Sequence, residues 1–523
     1  MTSARTLLGR SSLIAVGALS SRVTGFIRTA AIGAALGAGL VGDAYTTAVM
    51  LPGIVYEILL GGIGTAVLVP LLNQAKANHQ DGGREFAQRL LSFAAVAFGL
   101  AALVATAAVP LLIPLLGGTA TYGESANLTT AFAMFTVPVV LFYGIGAVAT
   151  AILNARGTFA LPAWSPACNN LTLITAALVL IAFPVGDFGD LRTILLGGAT
   201  LLGAALQALI LIPATRKAGV LWRWQPSLRG FGLRGLAKTI LWVTAYVTAG
   251  QLGLLVILGL IRAAAAEGGP GPLIYNNAWV LLMMAYGVLA LPVITALTPE
   301  LSKPNQPTSV TTANQYRHGL RLLLMLTTPA VAAMIALAQP IAVALFEWGD
   351  YTHAAAQATA PVIAAAGLAL IPYSISQLQL FTFLAIGDAR TPALIMISST
   401  FLRIALCVGA FAIVSTPHLA AALMLVNAVS YVGVSAISAL VLHRRMNVSS
   451  SFLRHLGVVW GIWRSAALLA VGAAVWWVAS TWITEPKTAA MSTLIVFAPV
   501  FVATYLPAIR MSRSRSLSRS AAA

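Results

Sequence analysis

Acid is what this sequence has least of. Among 523 residues, 13 are Asp or Glu and 30 are Lys or Arg, so charged side chains make up 8% of the chain. A soluble domain carries roughly 25%, and the long uncharged runs exclude one; this is an integral membrane protein. Alternating segments of ~10 residues, the mark of a membrane β-barrel, are missing too, which leaves helices of about 20 residues crossing a ~30 Å hydrocarbon core. Cysteine is nearly absent. Cys168 and Cys407 lie far apart in apolar segments without CxxC spacing, so they read as small core thiols, not as a metal site or redox pair. The six histidines lack HExxH spacing, and no metal site is expected. "GGIG" at Gly61 has neither a preceding strand nor the Lys-Ser/Thr of a phosphate loop, and reads as close helix packing.

Positive charge is in excess, +17 in all. Polar and Gly/Pro-rich junctions divide the chain into fourteen candidate spans, at 11–37, 41–74, 86–116, 127–154, 161–184, 191–214, 235–264, 272–302, 316–346, 354–386, 391–414, 418–442, 457–480 and 488–509. The N-terminus resembles a signal peptide, yet its apolar segment continues through two arginines, so it reads as a retained first helix. With that terminus inside, most of the basic residues fall on the cytoplasmic side, while Glu124, Asp187, Asp190, Glu267, Glu347, Asp350 and Glu485 fall outside. An even number of spans places both termini in the cytoplasm. Because the basic residues are spread over many loops instead of one docking face, nucleic acid is not an expected partner. The tail "RMSRSRSLSRSAAA" is the one dense patch and suits anionic lipid headgroups.

Two halves of the chain align at an offset near 230. "PLLIPLLGGTATYGESA" from Pro110 matches "PIAVALFEWGDYTHAAA" from Pro340, "GTAVLVPLLNQ" around Pro70 matches "VITALTPELSK" around Pro299, and "LNARGTFALP" from Leu153 matches "LAIGDARTPAL" from Leu384. A duplicated unit of six helices, followed by two more, is the expected architecture: 1–217, 218–446, 447–510, and a basic tail 511–523. Six being even, both halves share one orientation, and transporters built this way carry substrate between their repeats.

The first span, "LSSRVTGFIRTAAIG", holds Arg22 and Arg28 with no acid before Asp43. A charge near the bilayer centre costs at least ~2.5 kcal/mol on insertion scales. On an ideal helix the two lie ~9 Å and about 120° apart, so a wide hydrated cavity, or a bend at Gly25, is needed to bring both to one ligand. The bland alternative pairs them with Asp43 and Glu57, or lets them snorkel. Guanidinium groups suit bidentate binding of phosphate, which points to an anionic substrate. Arg262, at the end of the seventh span, reads equally as cavity lining or interface anchor. Arg403 and Arg464 read as packing or snorkelling residues, and Glu57 as a partner to an arginine or a proton site.

These residues resemble a known family. The spacing SRVxGFxR, GAGxxxDAxxxA and LP, carried by Ser21, Arg22, Val23, Gly25, Phe26, Arg28, Gly37, Ala38, Gly39, Asp43, Ala44, Ala48, Leu51 and Pro52, is similar to the opening of the MurJ/MviN lipid II flippases. "LFEWGDYT" and "YGVLALPVITALTPELSK" match further on. The resemblance implies an all-α membrane protein of about fourteen helices, with two MATE-like six-helix lobes around a cationic cavity and a lipid-facing groove from helices 13 and 14. It implies an undecaprenyl-diphosphate-linked disaccharide pentapeptide as substrate, no bond chemistry, cavity arginines at Arg22 and Arg28, and a functionally important acid at Asp43. Two further family arginines are replaced by Tyr56 and Ala278, leaving Arg262 as a candidate substitute, Tyr56 as a candidate contact, and an actinobacterial-type member without a C-terminal extension as the implied relative. Without a carboxylate in the seventh span, coupling to membrane potential or protons is expected over sodium, and no cofactor is implied. The competing readings are a flippase or exporter for another polyprenyl-linked glycan or a drug, and a non-transporting scaffold that binds cell-wall or division proteins.

Overall fold

The computed structural model describes residues 2–61, 68–116, 123–183, 189–226, 237–301, 310–446 and 458–505. The basic tail and the segment 447–457 lie outside them. Among the described residues, twelve helical segments are long and apolar enough to cross a membrane; they correspond to the third through fourteenth expected spans. The first span is α1 (Thr2–Leu36). The second is α2 (Leu40–Tyr56), a π-helical turn at Glu57–Gly61, and α3 (Val69–Asn78), with 62–67 outside the described residues.

The chain divides into two compact units, residues 1–267 with 271–273, and residues 268–270 with 274–523. The first holds α1 to α3, α4 (Arg84–Leu115), α5 (Glu124–Thr136), α6 (Val139–Ala155), α7 (Ala160–Ala182), α8 (Gly189–Leu209), α9 (Leu211–Lys217) and α10 (Ala237–Ala266). α1 lies along α7, α7 against α8, α2 against α5 and α4 against α6, while α10 packs on the π turn that follows α2. Small residues permit these approaches, as in membrane helix pairs generally. A Cβ at Gly17 would stand 2.7 Å from the Trp164 ring on α7, and one at Gly144 would overlap Phe98. Polar bonds add to the α1–α7 seam, where Asn170 Nδ2 donates to Ser21 O and Thr24 Oγ1, both at 3.0 Å.

The second unit holds α11 (Pro272–Ala285), a π turn at Tyr286–Ala290, α12 (Leu291–Leu301), α13 (Val310–Ala336), α14 (Ala338–Phe346), α15 (His353–Ala385), α16 (Arg390–Ile413), α17 (Leu419–Met446), α18 (Val458–Trp482) and α19 (Pro486–Ala503). α15 packs on α13 and α17, α13 also on α18, and α14 on α19. The expected single span 316–346 is two helices here. Pro340 has no N–H for the Ala336 carbonyl, and the break falls at Leu337, with φ −108° and ψ 18°.

Both units share local details about 230 positions apart. Gly157 and Gly387 end α6 and α15 at φ 79° and 80°. Each end closes with the same pair of backbone bonds: Gly157 N–H to Asn154 O and Thr158 N–H to Leu153 O, then Gly387 N–H to Leu384 O and Asp388 N–H to Phe383 O. Such a left-handed cap satisfies carbonyls that the helix end leaves open, and glycine takes that conformation without a Cβ penalty. The π turns at 57–61 and 286–290 recur at a similar interval.

Candidate functional site

α1 runs without interruption from Thr2 to Leu36, through both arginines. Gly25 is a packing position: a Cβ there would meet the Asn170 amide at 3.4 Å. The stripe Ser21, Gly25 and Arg28 follows the i, i+4, i+7 rule of one helix face and borders a cavity of about 570 Å³. Arg22 points elsewhere. It is half-buried and not among the cavity's lining residues, as the ~120° between the two positions requires.

Every described residue lining the cavity belongs to the first unit, and Arg28 is the sole charge among them. Tyr56 lines it from α2 and Tyr143 from α6; their rings meet edge-on at 5.7 Å, and Tyr56 also lies 6.5 Å from the Phe98 ring. Arg28 is within electrostatic reach of the Tyr143 hydroxyl. Carboxamides from three helices also line it, Asn154 of α6, Asn169 of α7 and Gln207 of α8. Asn169 is 6% exposed and its Oδ1 has no hydrogen-bond partner among the described residues. It fits against α8 because position 203 is glycine; a Cβ there would overlap Oδ1. The sequence contained a signal for this arc, since amides inside apolar spans are rare, but periodicity does not say which of them face one space.

The other candidates lie apart from the cavity lining. Glu57 opens the π turn after α2, is half-buried and makes no ion pair among the described residues, so it is not the expected partner of an arginine. Asp43 Oδ1 accepts the Leu273 N–H at 2.9 Å, and a Cβ at Gly271 would overlap its other oxygen. The carboxylate therefore occupies the turn 271–273 at the start of α11, where open N–H groups favour an anion. Arg262 does not border this cavity. It is 4% exposed in α10, donates to Thr129 Oγ1 at 3.1 Å, and leaves Nε and Nη2 without partners among the described residues. Asp43 lies within its electrostatic reach.

The model of the lipid II flippase MurJ family matches residues 32–497 of this chain. The chain belongs to that family. A "probable lipid II flippase MurJ" of Rhizobium meliloti (strain 1021) is 25% identical over 476 residues, covering 90% of this chain and 86% of the relative. The "lipid II flippase MurJ" of Burkholderia cenocepacia is 25% identical over 391 residues, covering 72% of this chain and 73% of the relative. Among solved structures, the inward closed conformation of a lipid II flippase MurJ matches with a TM-score of 0.71 at 18% identity, over 95% of this chain and 99% of that one. An inward-facing MATE family multidrug transporter of the MOP superfamily matches with 0.63 at 15% identity, over 84% and 99%. These last two likenesses concern the fold. Family membership makes the chain a membrane transporter, not an enzyme.

At the two positions where the resemblance implies further arginines, the structure has a ring and a methyl group. Tyr56 joins the aromatic edge of the cavity, and Ala278 is wholly buried in the second unit.

Proposed function

We infer that this protein moves lipid II across a bacterial cytoplasmic membrane by alternating access, with both termini in the cytoplasm and the substrate diphosphate held by Arg28. The reading is carried by one observation beyond family membership: a cavity whose only charge among the described lining residues is a guanidinium, in a chain of a lipid II flippase family. A guanidinium offers two parallel N–H groups to a phosphate and keeps its charge at any physiological pH. With no acid among the described lining residues, an anion enters without repulsion and repays part of the cost of holding Arg28 in the membrane. Arg22, on another face of α1, supplies a second positive charge along the same helix. Asp43 and Arg262 act as positioning residues, holding the 271–273 turn and compensating each other's buried charge. The duplicated six-helix lobes 1–217 and 218–446, helices 13 and 14 as a groove for the lipid tail, and an actinobacterial-type member with Tyr56 and Ala278 in place of two family arginines all belong to the same reading. Coupling to membrane potential or protons is the energy source that fits a seventh span without a carboxylate.

The test is complementation of a strain depleted of its own lipid II flippase. The wild-type chain restores growth; an Arg22→Ala/Arg28→Ala double variant that reaches the membrane at wild-type level does not. Full rescue by the double variant overturns the reading.

A further inference from the structure

The carboxamides of the cavity are set apart from the charge that draws the diphosphate: they stand on α6, α7 and α8, whereas Arg28 stands on α1. They are also not spent on the protein. Asn170 uses its amide to tie α7 to α1, but the side chains of Asn154 and Gln207 make no hydrogen bond among the described residues, and the Oδ1 of Asn169, packed against Gly203, has none either, which leaves its Nδ2 for the cavity. A buried acceptor without a partner costs free energy, and Gly203 is needed to make room for this one.

We propose that Asn154, Asn169 and Gln207 form a sugar-reading face that binds the N-acetylated pyranose directly attached to the substrate diphosphate. The proposal rests on the flippase reading above. A carboxamide carries an acceptor and two donors, which match an acetamido group reciprocally and also serve ring hydroxyls. Tyr56 and Tyr143 of the same lining supply apolar area for a ring face. Size agrees as well. A cavity of about 570 Å³ is in the range of ~300–1,000 Å³ that takes a small ligand, which is room for a diphosphate with one sugar ring. The face thus selects on the first sugar and ignores the rest of the headgroup.

The full chain in nanodiscs is titrated with two lipids, lipid II and undecaprenyl diphosphate without sugar. Gln207→Leu and Asn154→Leu are the principal variants because both positions are half-buried and tolerate the change; Asn169→Ala is added, with thermal unfolding as its folding control. Each variant binds lipid II about tenfold more weakly, the effect of losing a net hydrogen bond, and binds undecaprenyl diphosphate as the wild type does. Arg28→Ala weakens both lipids. If the Leu variants bind lipid II unchanged, the amides hold water only and the proposal fails; if they lose both lipids equally, they shape the cavity without reading sugar, and it fails as well. If Arg28→Ala binds both lipids normally while the Leu variants still discriminate, the phosphate role of Arg28 is wrong and the sugar face stands.

Discussion

Two arginines in membrane helices of this chain meet opposite fates. Arg28 of the first unit is half-buried beside a cavity. Arg403 of the second unit is 5% exposed, donates to Asn427 Oδ1 at 3.1 Å across α16 and α17, and lies beside Tyr431. Two glutamines show the same contrast. Gln207 of the first unit makes no bond among the described residues, whereas Gln379 of the second donates to Tyr316 OH at 3.2 Å and Ser435 O at 3.0 Å. Even the aromatic rings differ in company. Tyr373 in the second unit is surrounded by rings, with Tyr286 and Tyr431 edge-on at 4.9 and 5.0 Å and Trp279 at 6.1 Å; Tyr56 and Tyr143 in the first unit border open space. Arg403 and Gln379 bond within their own unit, whereas Arg28 and Gln207 border a cavity. A repeat that preserves helix ends and π turns has not preserved this use of polar side chains.

The largest expected effect separates the two arginines. Arg28→Ala abolishes growth complementation and leaves the thermal midpoint near wild type, because a half-buried side chain beside a cavity contributes little packing. Arg403→Ala does the reverse: it costs ~1.5–3 kcal/mol for a lost charge-assisted bond, read as a lowered unfolding midpoint in detergent, while the protein that remains folded still binds lipid. If both variants behave alike, the contrast between the units is empty. Next in size, Gly203→Ala forces a methyl into the place of Asn169 Oδ1 and destabilises by ~1–3 kcal/mol through overpacking; the same change at Gly409 of the second unit, where a Cβ meets nothing within 4 Å, leaves the midpoint unchanged.

Asp43→Asn keeps the shape of the side chain but removes its negative charge. The Leu273 N–H then loses a charge-assisted acceptor, and Arg262 loses its nearby compensating charge; transport falls further than stability, measured as complementation against the unfolding midpoint. The smallest effect is at the membrane surface. Partial burial raises the Asp388 carboxyl, but hydrogen bonds from Thr391 and the Arg445 guanidinium outweigh it and hold its pKa below the ordinary 3.8. A depressed carboxyl contributes stability above its unfolded pKa, and the contribution is lost as pH falls from about 3.8 through the folded value. Arg445→Gln should therefore flatten the acid side of a stability profile by less than ~1 kcal/mol, the usual size for a partly exposed pair. Asp81 of the first unit is held low by a different means, the backbone N–H groups of Glu85 and Gly83, and its acid profile is indifferent to any arginine substitution.

Hydropathy, charge asymmetry and repeat offset were sufficient to read an all-helical membrane chain, its twelve later spans and the identity of Arg28 as a charge worth explaining. These are one-dimensional properties: a helix must satisfy its own backbone in lipid, so its length and composition announce it. Side-chain direction is also partly local, which is why ~120° already separated Arg22 from Arg28. Partnership is not local. That Asp43 bonds the turn at Leu273, that Arg262 is buried against Thr129, that Tyr56 edges a cavity and that three amides from three helices converge with Arg28 depend on how segments up to 230 residues apart pack together. Only the tertiary structure decides which polar group finds a partner and which is left open, because each such group gains from any neighbour that packing brings within about 3 Å and the sequence does not record distances between helices.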